Sequence, residues 1–215
     1  MAPPRALLFD LDGVVVDNMA VHAEAWRLFL RGHGLRIGMK EFHEKTAGMP
    51  TRDVLVYYLK RRFTKAEVER LTAEKEAVYQ RLYRPLMRPA RGLRRFLSAA
   101  RKIGLRLGVG TGSRAESAAF VLDGLRLRSC FDAVVTVDDI RRGKPHPETF
   151  LTLARRLGVP PRSCLVFEDS LLGAEAARRA GMGLVALTTS HPPRSFLHAL
   201  HAVPHFASMD PAKLV

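Results

Sequence analysis

Short apolar runs alternate with helical patterns through most of the chain. Continuous apolar stretches predict buried strands, which we place at 6–9, 105–109, 133–137, 164–167 and 183–187. Apolar residues at helical spacing predict helices over 92–102, 114–125, 147–157 and 171–180. This alternation predicts an α/β fold, a doubly wound, Rossmann-like parallel sheet with right-handed crossovers.

The region 16–85 differs because its helical patterns follow one another without a strand. They predict helices near 21–31, over 40–46 and around 54–59, and a further helix begins at Thr64, where Glu67 completes a capping box. We therefore divide the chain into a discontinuous α/β core, 1–15 and 86–215, and an inserted small α-helical domain, 16–85.

Composition narrows the class of protein. The chain has 215 residues, of which 47% are hydrophobic, as in an ordinary globular protein. We find neither the apolar region of a signal peptide nor an apolar run of membrane-spanning length, and we expect a cytoplasmic protein without a membrane partner. Cys130 and Cys164 lack metal-ligand spacing, so we interpret both as small buried hydrophobic residues.

The net charge of +14 favours acidic partners, either nucleic acid or small phosphorylated anions. The 35 Lys and Arg residues are spread in pairs along helical patterns, without a basic tail, which is typical of solvated helix faces. We expect a monomer that acts on a small phosphorylated metabolite rather than on nucleic acid. A basic nucleic-acid-binding protein is the alternative.

Two carboxylates follow the first predicted strand. Asp10 falls at its carboxyl end, the edge where open α/β sheets bind ligands, and Asp12 comes two residues later. Gly13 allows a tight turn or a close approach to a ligand. Two adjacent acids repel each other unless a cation neutralises them, and Mg²⁺ prefers oxygen ligands. A solvated turn is the alternative, since Asp and Gly are common turn residues.

Further polar groups follow the second strand. Thr111, Gly112 and Ser113 lie between this strand and the next helix, so a hydroxyl and free amides would face an anion there. Ser113 as a helix N-cap is the alternative interpretation.

Lys144 lies between Gly143 and Pro145, ahead of a helix. Its ammonium group would neutralise a carboxylate and a phosphate, whereas a surface lysine in a proline turn is the alternative. Glu168 and Asp169 end a later strand and would complete a Mg²⁺ site. N-capping by Asp169 or Ser170 is the competing interpretation.

One charged residue interrupts an apolar stripe in the helix that begins at Thr64. The other positions of this stripe are apolar, and they are Val68, Leu71, Val78 and Leu82, whereas Lys75 is charged. A lysine on an apolar face is costly to bury unless it extends to solvent or meets an anion. Lys75 therefore either extends to solvent or reaches into a cleft toward an anionic substrate.

Taken together, these motifs resemble those of the haloacid dehalogenase superfamily, in the branch with a small helical cap that contains β-phosphoglucomutase and many sugar-phosphate phosphatases. The resemblance covers nearly the whole chain and rests on four motifs in order, which are Asp10-Leu11-Asp12-Gly13-Val14, Thr111-Gly112-Ser113, Gly143-Lys144-Pro145-His146-Pro147-Glu148 and Phe167-Glu168-Asp169-Ser170 followed by Gly173.

The resemblance implies a phosphatase that works through an aspartyl-phosphate. Asp10 would be the nucleophile and Asp12 the general acid and base. Thr111 and Lys144 would hold the transferring oxygens. The metal ligands implied for Mg²⁺ are Asp10, the backbone carbonyl of Asp12, Asp169 and, through water, Glu168. Gly13, Gly112 and Ser113 would contribute to substrate binding.

In the cap, similar proteins carry a histidine where His22 stands and polar residues where Arg52 and Lys75 stand. The resemblance therefore implies that these three contact the substrate, and it favours the cleft position for Lys75. Asn18 replaces the usual Thr or Ser of the hinge, a departure from the mutase pattern. A β-phosphoglucomutase-type phosphosugar mutase is accordingly the alternative to the phosphatase.

Overall fold

The computed structural model describes residues 3–38, 42, 45–46, 49 and 51–214. It contains two compact units. One comprises the residues up to Asp17 together with those from Met87 onward, and the other is Asn18–Leu86.

Six parallel strands from the described residues of the first unit form one sheet in the order β3-β2-β1-β4-β5-β6. They are β1 Ala6–Phe9, β2 Arg106–Gly110, β3 Ala133–Val135, β4 Cys164–Glu168, β5 Gly183–Leu187 and β6 His201–Val203. This order reverses between β1 and β4, and such a reversal opens a crevice at the carboxyl ends of these two strands. The predicted α/β fold with a parallel sheet is confirmed.

The described residues form seven α-helices. In the second unit they are α1 Met19–Gly32, α2 Thr51–Leu59 and α3 Lys65–Tyr83, and in the first unit α4 Leu93–Lys102, α5 Ala115–Gly124, α6 Glu148–Leu157 and α7 Leu171–Arg179. The α3 helix begins with the predicted capping box: the Glu67 amide donates to Thr64 Oγ1 at 3.2 Å and the Thr64 amide donates to Glu67 Oε2 at 2.8 Å.

Both faces of the sheet are covered by apolar side chains, which explains the continuous apolar runs of its strands. On one face, Leu8 and Val166 pack with Phe150 and Leu153 of α6. Four phenylalanines contact one another in a second cluster: Phe9, Phe96, Phe167 and Phe206. The core therefore lies directly beneath the strand ends that carry the polar motifs.

The second unit has an apolar core of its own. Its α1 and α3 helices contact each other extensively. Buried side chains from α1, α2 and α3 form a single cluster that includes Trp26, Phe29, Leu55 and Leu71. Amphipathic helices of this kind are stable mainly because their apolar faces pack against one another.

Two details differ from the sequence-based expectations, and a third expectation lies mostly outside the described residues. The β6 strand was not predicted, because its three residues are largely exposed and carry no continuous apolar run. The β3 strand ends at Val135, two residues early, and Val137–Asp139 forms a 3-10 turn capped by Thr136. Most of the helix predicted over 40–46 falls outside the described residues.

Two further expectations concern burial and the membrane. Cys164 is buried as predicted, whereas Cys130 is only half-buried. Among the described residues, no helix combines the length and the hydropathy that crossing a bilayer requires.

Candidate active site

The β1 strand places Asp10 at the switch point of the sheet. Phe9 lies opposite Phe167 of β4 in the parallel register, and the Asp10 amide donates to the Phe167 carbonyl at 2.9 Å. Asp10 and Glu168 therefore sit on neighbouring strand ends. The chain then turns at Gly13, whose φ of +82° is a conformation that favours glycine.

Three carboxylates converge at this edge. Asp10, Glu168 and Asp169 are buried, and one oxygen from each lies within 4.8 Å of the others. An all-oxygen set of this kind suits a hard divalent cation such as Mg²⁺. A solvated turn at Asp10 is excluded by its burial.

Lys144 joins two of these carboxylates. Its ammonium group donates to Asp10 Oδ1 and to Glu168 Oε1, both at 2.6 Å, and to the Gly110 carbonyl at 3.1 Å. The Lys144 side chain is only 11% exposed, so the alternative of a surface lysine is wrong. Neighbouring His146 accepts a hydrogen bond from the Glu148 amide at 3.3 Å.

The site carries more negative than positive charge. Among the described residues, Lys144 is the one ammonium group set against the carboxylates of Asp10, Asp12, Glu168 and Asp169. Burial raises the pKa of Asp10 well above its usual value; Glu168, Asp169 and Asp12 act in the same direction, and Lys144 opposes them. Burial and the Glu168 carboxylate raise the pKa of Asp169 to about 7.

Lys144 shows the complementary effect. Burial alone would lower the pKa of its ammonium group, but the carboxylates of Asp10 and Glu168 outweigh burial and raise it. Lys144 is therefore cationic at neutral pH, yet one cation cannot balance the whole cluster. A second positive charge, such as a divalent ion, would complete it.

Glu168 is anchored from several sides. Its Oε2 accepts hydrogen bonds from the amides of Asp169 and Ser170, both at 2.8 Å, and from the Ser170 hydroxyl at 3.0 Å. Ser170 also caps α7, because its hydroxyl accepts from the Gly173 amide at 3.0 Å. The capping alternative thus holds for Ser170, while Asp169 and Glu168 belong to the acidic cluster.

The segment after β2 supports Asp12. Ser113 donates from its hydroxyl to Asp12 Oδ2 at 2.7 Å, and its amide donates to the hydroxyl of buried Thr111 at 3.0 Å. Ser113 is not the N-cap of α5, because Arg114 precedes the helix and makes no side-chain cap. Gly112, between them, is exposed and has open space where a Cβ would stand.

Two residues of the site were missed from the sequence. Thr189 and Ser190 follow β5, and their hydroxyls donate to the Gly13 carbonyl and to Asp169 Oδ2, respectively. The available signal was their position, since hydroxyl residues directly after a predicted strand belong to the same edge as the carboxylates.

Lys75 and His22, two of the predicted substrate contacts, lie next to each other in the second unit. Lys75 is buried, and its ammonium group donates to Glu76 Oε1 at 2.7 Å and lies 3.3 Å from His22 Nδ1. The His22 ring stacks on Tyr79 at 3.9 Å. Extension of Lys75 into bulk solvent is therefore wrong, and its anion within this unit is Glu76. Arg52 is exposed on α2.

Comparison with known proteins gives consistent matches. The family model described as haloacid dehalogenase-like hydrolase matches residues 4–181. Fructose-1-phosphate phosphatase YqaB of Escherichia coli K12 is 37% identical and aligns with 83% of this chain and 94% of its own length. Validoxylamine A 7'-phosphate phosphatase of Streptomyces hygroscopicus subsp. limoneus is 34% identical, with 91% of each chain covered.

Among solved structures, β-phosphoglucomutase from Clostridium difficile superposes with a TM-score of 0.83 at 27% identity, covering 96% of this chain and 93% of that one. Family model, relatives and structure thus span both units of the chain.

Proposed function

The chain belongs to the family of haloacid dehalogenase-like hydrolases, and from this we propose that it is a Mg²⁺-dependent phosphatase that hydrolyses a small phosphorylated metabolite, of the sugar-phosphate kind, through an aspartyl-phosphate. The observation that carries the proposal is the convergence of Asp10, Glu168 and Asp169 around Lys144 at the sheet's switch point. Relatives named as phosphatases of fructose 1-phosphate and of validoxylamine A 7'-phosphate support this substrate class.

The donor set fits a magnesium ion. The residues that would hold it are Asp10, Asp169 and the backbone carbonyl of Asp12, with Glu168 contributing through water because Lys144 and backbone amides already bind both of its oxygens. When bound, Mg²⁺ would offset the excess negative charge of the site and of the phosphoryl group.

Asp10 performs the first chemical step in this proposal. Lys144 binds its Oδ1, so Oδ2 is the oxygen that attacks phosphorus. The bond between phosphorus and the leaving oxygen breaks as the bond to Oδ2 forms, and Asp12 gives its proton to the leaving oxygen. The product alcohol departs, and the phosphoryl group remains on Asp10.

Asp12 then acts as a base in the second step. It takes a proton from a water molecule, whose oxygen attacks phosphorus and releases phosphate and the Asp10 carboxylate. Ser113 holds Asp12 for both proton transfers through their 2.7 Å hydrogen bond. The Thr111 hydroxyl accepts a hydrogen bond from the Ser113 amide, which leaves its own proton to donate. In this proposal the Thr111 hydroxyl and the Lys144 ammonium group both donate to the transferring oxygens.

Substrate choice is assigned to Gly13, Gly112 and Ser113 in the core and to His22, Arg52 and Lys75 in the cap. Gly112 would present its amide to a phosphoryl oxygen, since nothing occupies the space beside its Cα. For the cap residues the support is the family resemblance, together with the burial of Lys75 beside His22.

A phosphosugar mutase is the second candidate, favoured by the likeness to a solved β-phosphoglucomutase. The two functions share the step at Asp10 and differ in whether water or a bound sugar hydroxyl receives the phosphoryl group.

A panel assay separates them. Phosphate release is measured from sugar phosphates, phosphoglycolate and pyrophosphate, in parallel with conversion of β-glucose 1-phosphate to glucose 6-phosphate. We expect Mg²⁺-dependent phosphate release from at least one sugar phosphate. Conversion of β-glucose 1-phosphate without comparable phosphate release from any panel member would contradict the phosphatase and support the mutase.

A further inference from the structure

The segment after β5 is held in place by the edge of the sheet. The Thr188 amide donates to the Val203 carbonyl at 2.9 Å, which extends the pairing of β5 and β6 one residue beyond Leu187. Thr189 and Ser190 therefore directly follow a residue that is still paired in the sheet. This pairing fixes where the two residues begin relative to the carboxyl ends of β1 and β4.

Ser190 contacts the carboxylate of Asp169. Its hydroxyl donates to Asp169 Oδ2. The carboxylate lies against Gly13 with this oxygen nearest, because a Cβ on Gly13 would stand 2.0 Å from Oδ2 and 2.9 Å from Oδ1. Asp169 Oδ2 is thus enclosed between the Gly13 backbone and the Ser190 hydroxyl. This enclosure leaves Oδ1 as the oxygen available to a cation.

Thr189 acts on the neighbouring loop. Its hydroxyl donates to the Gly13 carbonyl at 2.7 Å. Gly13 directly follows Asp12 and has a positive φ, so this hydrogen bond ties down the turn that presents Asp12. Two consecutive hydroxyl residues therefore hold the two loops that carry the proposed ligands.

We propose that Ser190 and Thr189 are positioning residues, of which Ser190 selects the oxygen of Asp169 that binds Mg²⁺ and Thr189 fixes the turn that carries Asp12. The inference rests on the proposed function, because it assumes the Mg²⁺ site. Residues that orient metal ligands in this way commonly alter metal affinity by about 10- to 100-fold when they are replaced. Ser190 is solvent-exposed, so we expect the lower end of this range.

The test measures Mg²⁺ binding by isothermal titration calorimetry, with thermal denaturation as the check on folding. Ser190→Ala should bind Mg²⁺ about tenfold more weakly than the wild type. Ser190→Thr keeps the hydroxyl and should retain wild-type affinity. Ser195→Ala is the matched control, because Ser195 lies in the same segment and makes no side-chain hydrogen bond among the described residues.

Thr189→Val keeps the shape of the side chain and removes its hydroxyl. It should lower kcat severalfold even at saturating Mg²⁺, because the Asp12 side chain transfers the protons, and it should leave the KM nearly unchanged. Mg²⁺ affinity should fall less than in Ser190→Ala, because Asp12 offers the metal only its backbone carbonyl.

The outcomes separate this inference from the proposed function. If the wild type binds Mg²⁺ and Ser190→Ala binds it equally well, or if Ser190→Thr is as weak as Ser190→Ala, Ser190 has no positioning role. An unchanged kcat in Thr189→Val removes the role of Thr189. A wild type that binds no Mg²⁺ overturns the metal site itself, and the inference with it.

Discussion

The carboxylate of Glu168 lies directly against Gly173 of α7, where a Cβ would stand 1.7 Å from Oε1. The carboxylate cannot move away without losing hydrogen bonds, because Lys144 binds Oε1 while backbone amides bind Oε2. Position 173 in the first turn of α7 therefore requires glycine for the acidic cluster to form.

Replacing Gly173 with alanine should destabilise the protein by about 1–3 kcal/mol, the usual cost of overpacking a buried site. We also expect the activity of the folded protein to fall, because the displaced Glu168 would no longer hold Lys144 in place. Chemical denaturation and phosphatase assays measure the two effects. Gly32→Ala is the control: a Cβ on this last residue of α1 meets nothing within 4 Å. Wild-type stability and activity in Gly173→Ala would contradict the packing argument.

Replacing Asp10 with asparagine should reduce turnover by a factor of roughly 10⁴ or more, because the amide cannot attack phosphorus. The fold should be retained, since the asparagine side chain has nearly the same shape and removes one of several crowded carboxylates. Phosphate release and circular dichroism give the two readouts. A folded Asp10→Asn protein that turns over at the wild-type rate would refute the nucleophile assignment.

Loss of the Ser113 hydroxyl should misorient Asp12. A hydrogen bond to a charged group contributes about 1.5–3 kcal/mol, and about 1.4 kcal/mol corresponds to a tenfold change in rate. We therefore expect Ser113→Ala to lower kcat at least about tenfold. Ser98→Ala, an exposed change on α4, serves as the control. A larger loss with substrates that have poor leaving groups would identify Asp12 as the affected acid, whereas an equal loss with all leaving groups would argue against it.

The metal-free protein should lose stability as the pH rises from about 5 to about 8. Asp169 has a pKa of about 7 in the folded protein, against a usual value of 3.8, so the folded state holds a proton that the unfolded chain has released. The raised pKa of Asp10 acts in the same direction. The free energy of unfolding therefore falls with rising pH in this window and levels off above it.

Mg²⁺ should reverse this trend. Protons compete with the cation for Asp169, so added Mg²⁺ should raise the Tm more at about pH 8 than at about pH 5. Differential scanning calorimetry with and without Mg²⁺ measures both effects, and Asp169→Asn should flatten both. A metal-free Tm that rises between these pH values would show that the acidic cluster does not dominate the pH dependence.

Polar residues directly after apolar runs predicted that carboxylates from two strand ends lie close together. Asp10, Glu168 and Asp169 lie together because parallel strands end at the same edge, whereas Lys144 reaches them from the loop that precedes α6. The order of the strands and the reversal between β1 and β4 needed the structure, since pairing between distant segments leaves no trace in local periodicity.

Residues whose roles depend on tertiary contacts were harder to predict. The position of Lys75 in the apolar stripe was anomalous, but its contact with His22 depends on how α1 packs on α3. Ser190 gave a weak signal, because serine after a strand is ordinary. The β6 strand that supports it is short and exposed, without the apolar run by which the other strands were predicted.

The stacked rings of Phe9 and Phe167 lie one residue before Asp10 and Glu168, with centroids 4.8 Å apart and an interplanar angle of 8°. The pairing of β1 with β4 places the two carboxylates side by side, and the stacked rings pack directly before them in the core. We expect a change at either ring to disturb the two carboxylates without removing a polar group. We therefore expect some inactivating substitutions to be changes in apolar packing. A screen for activity would detect damage to the core as well as loss of catalytic groups.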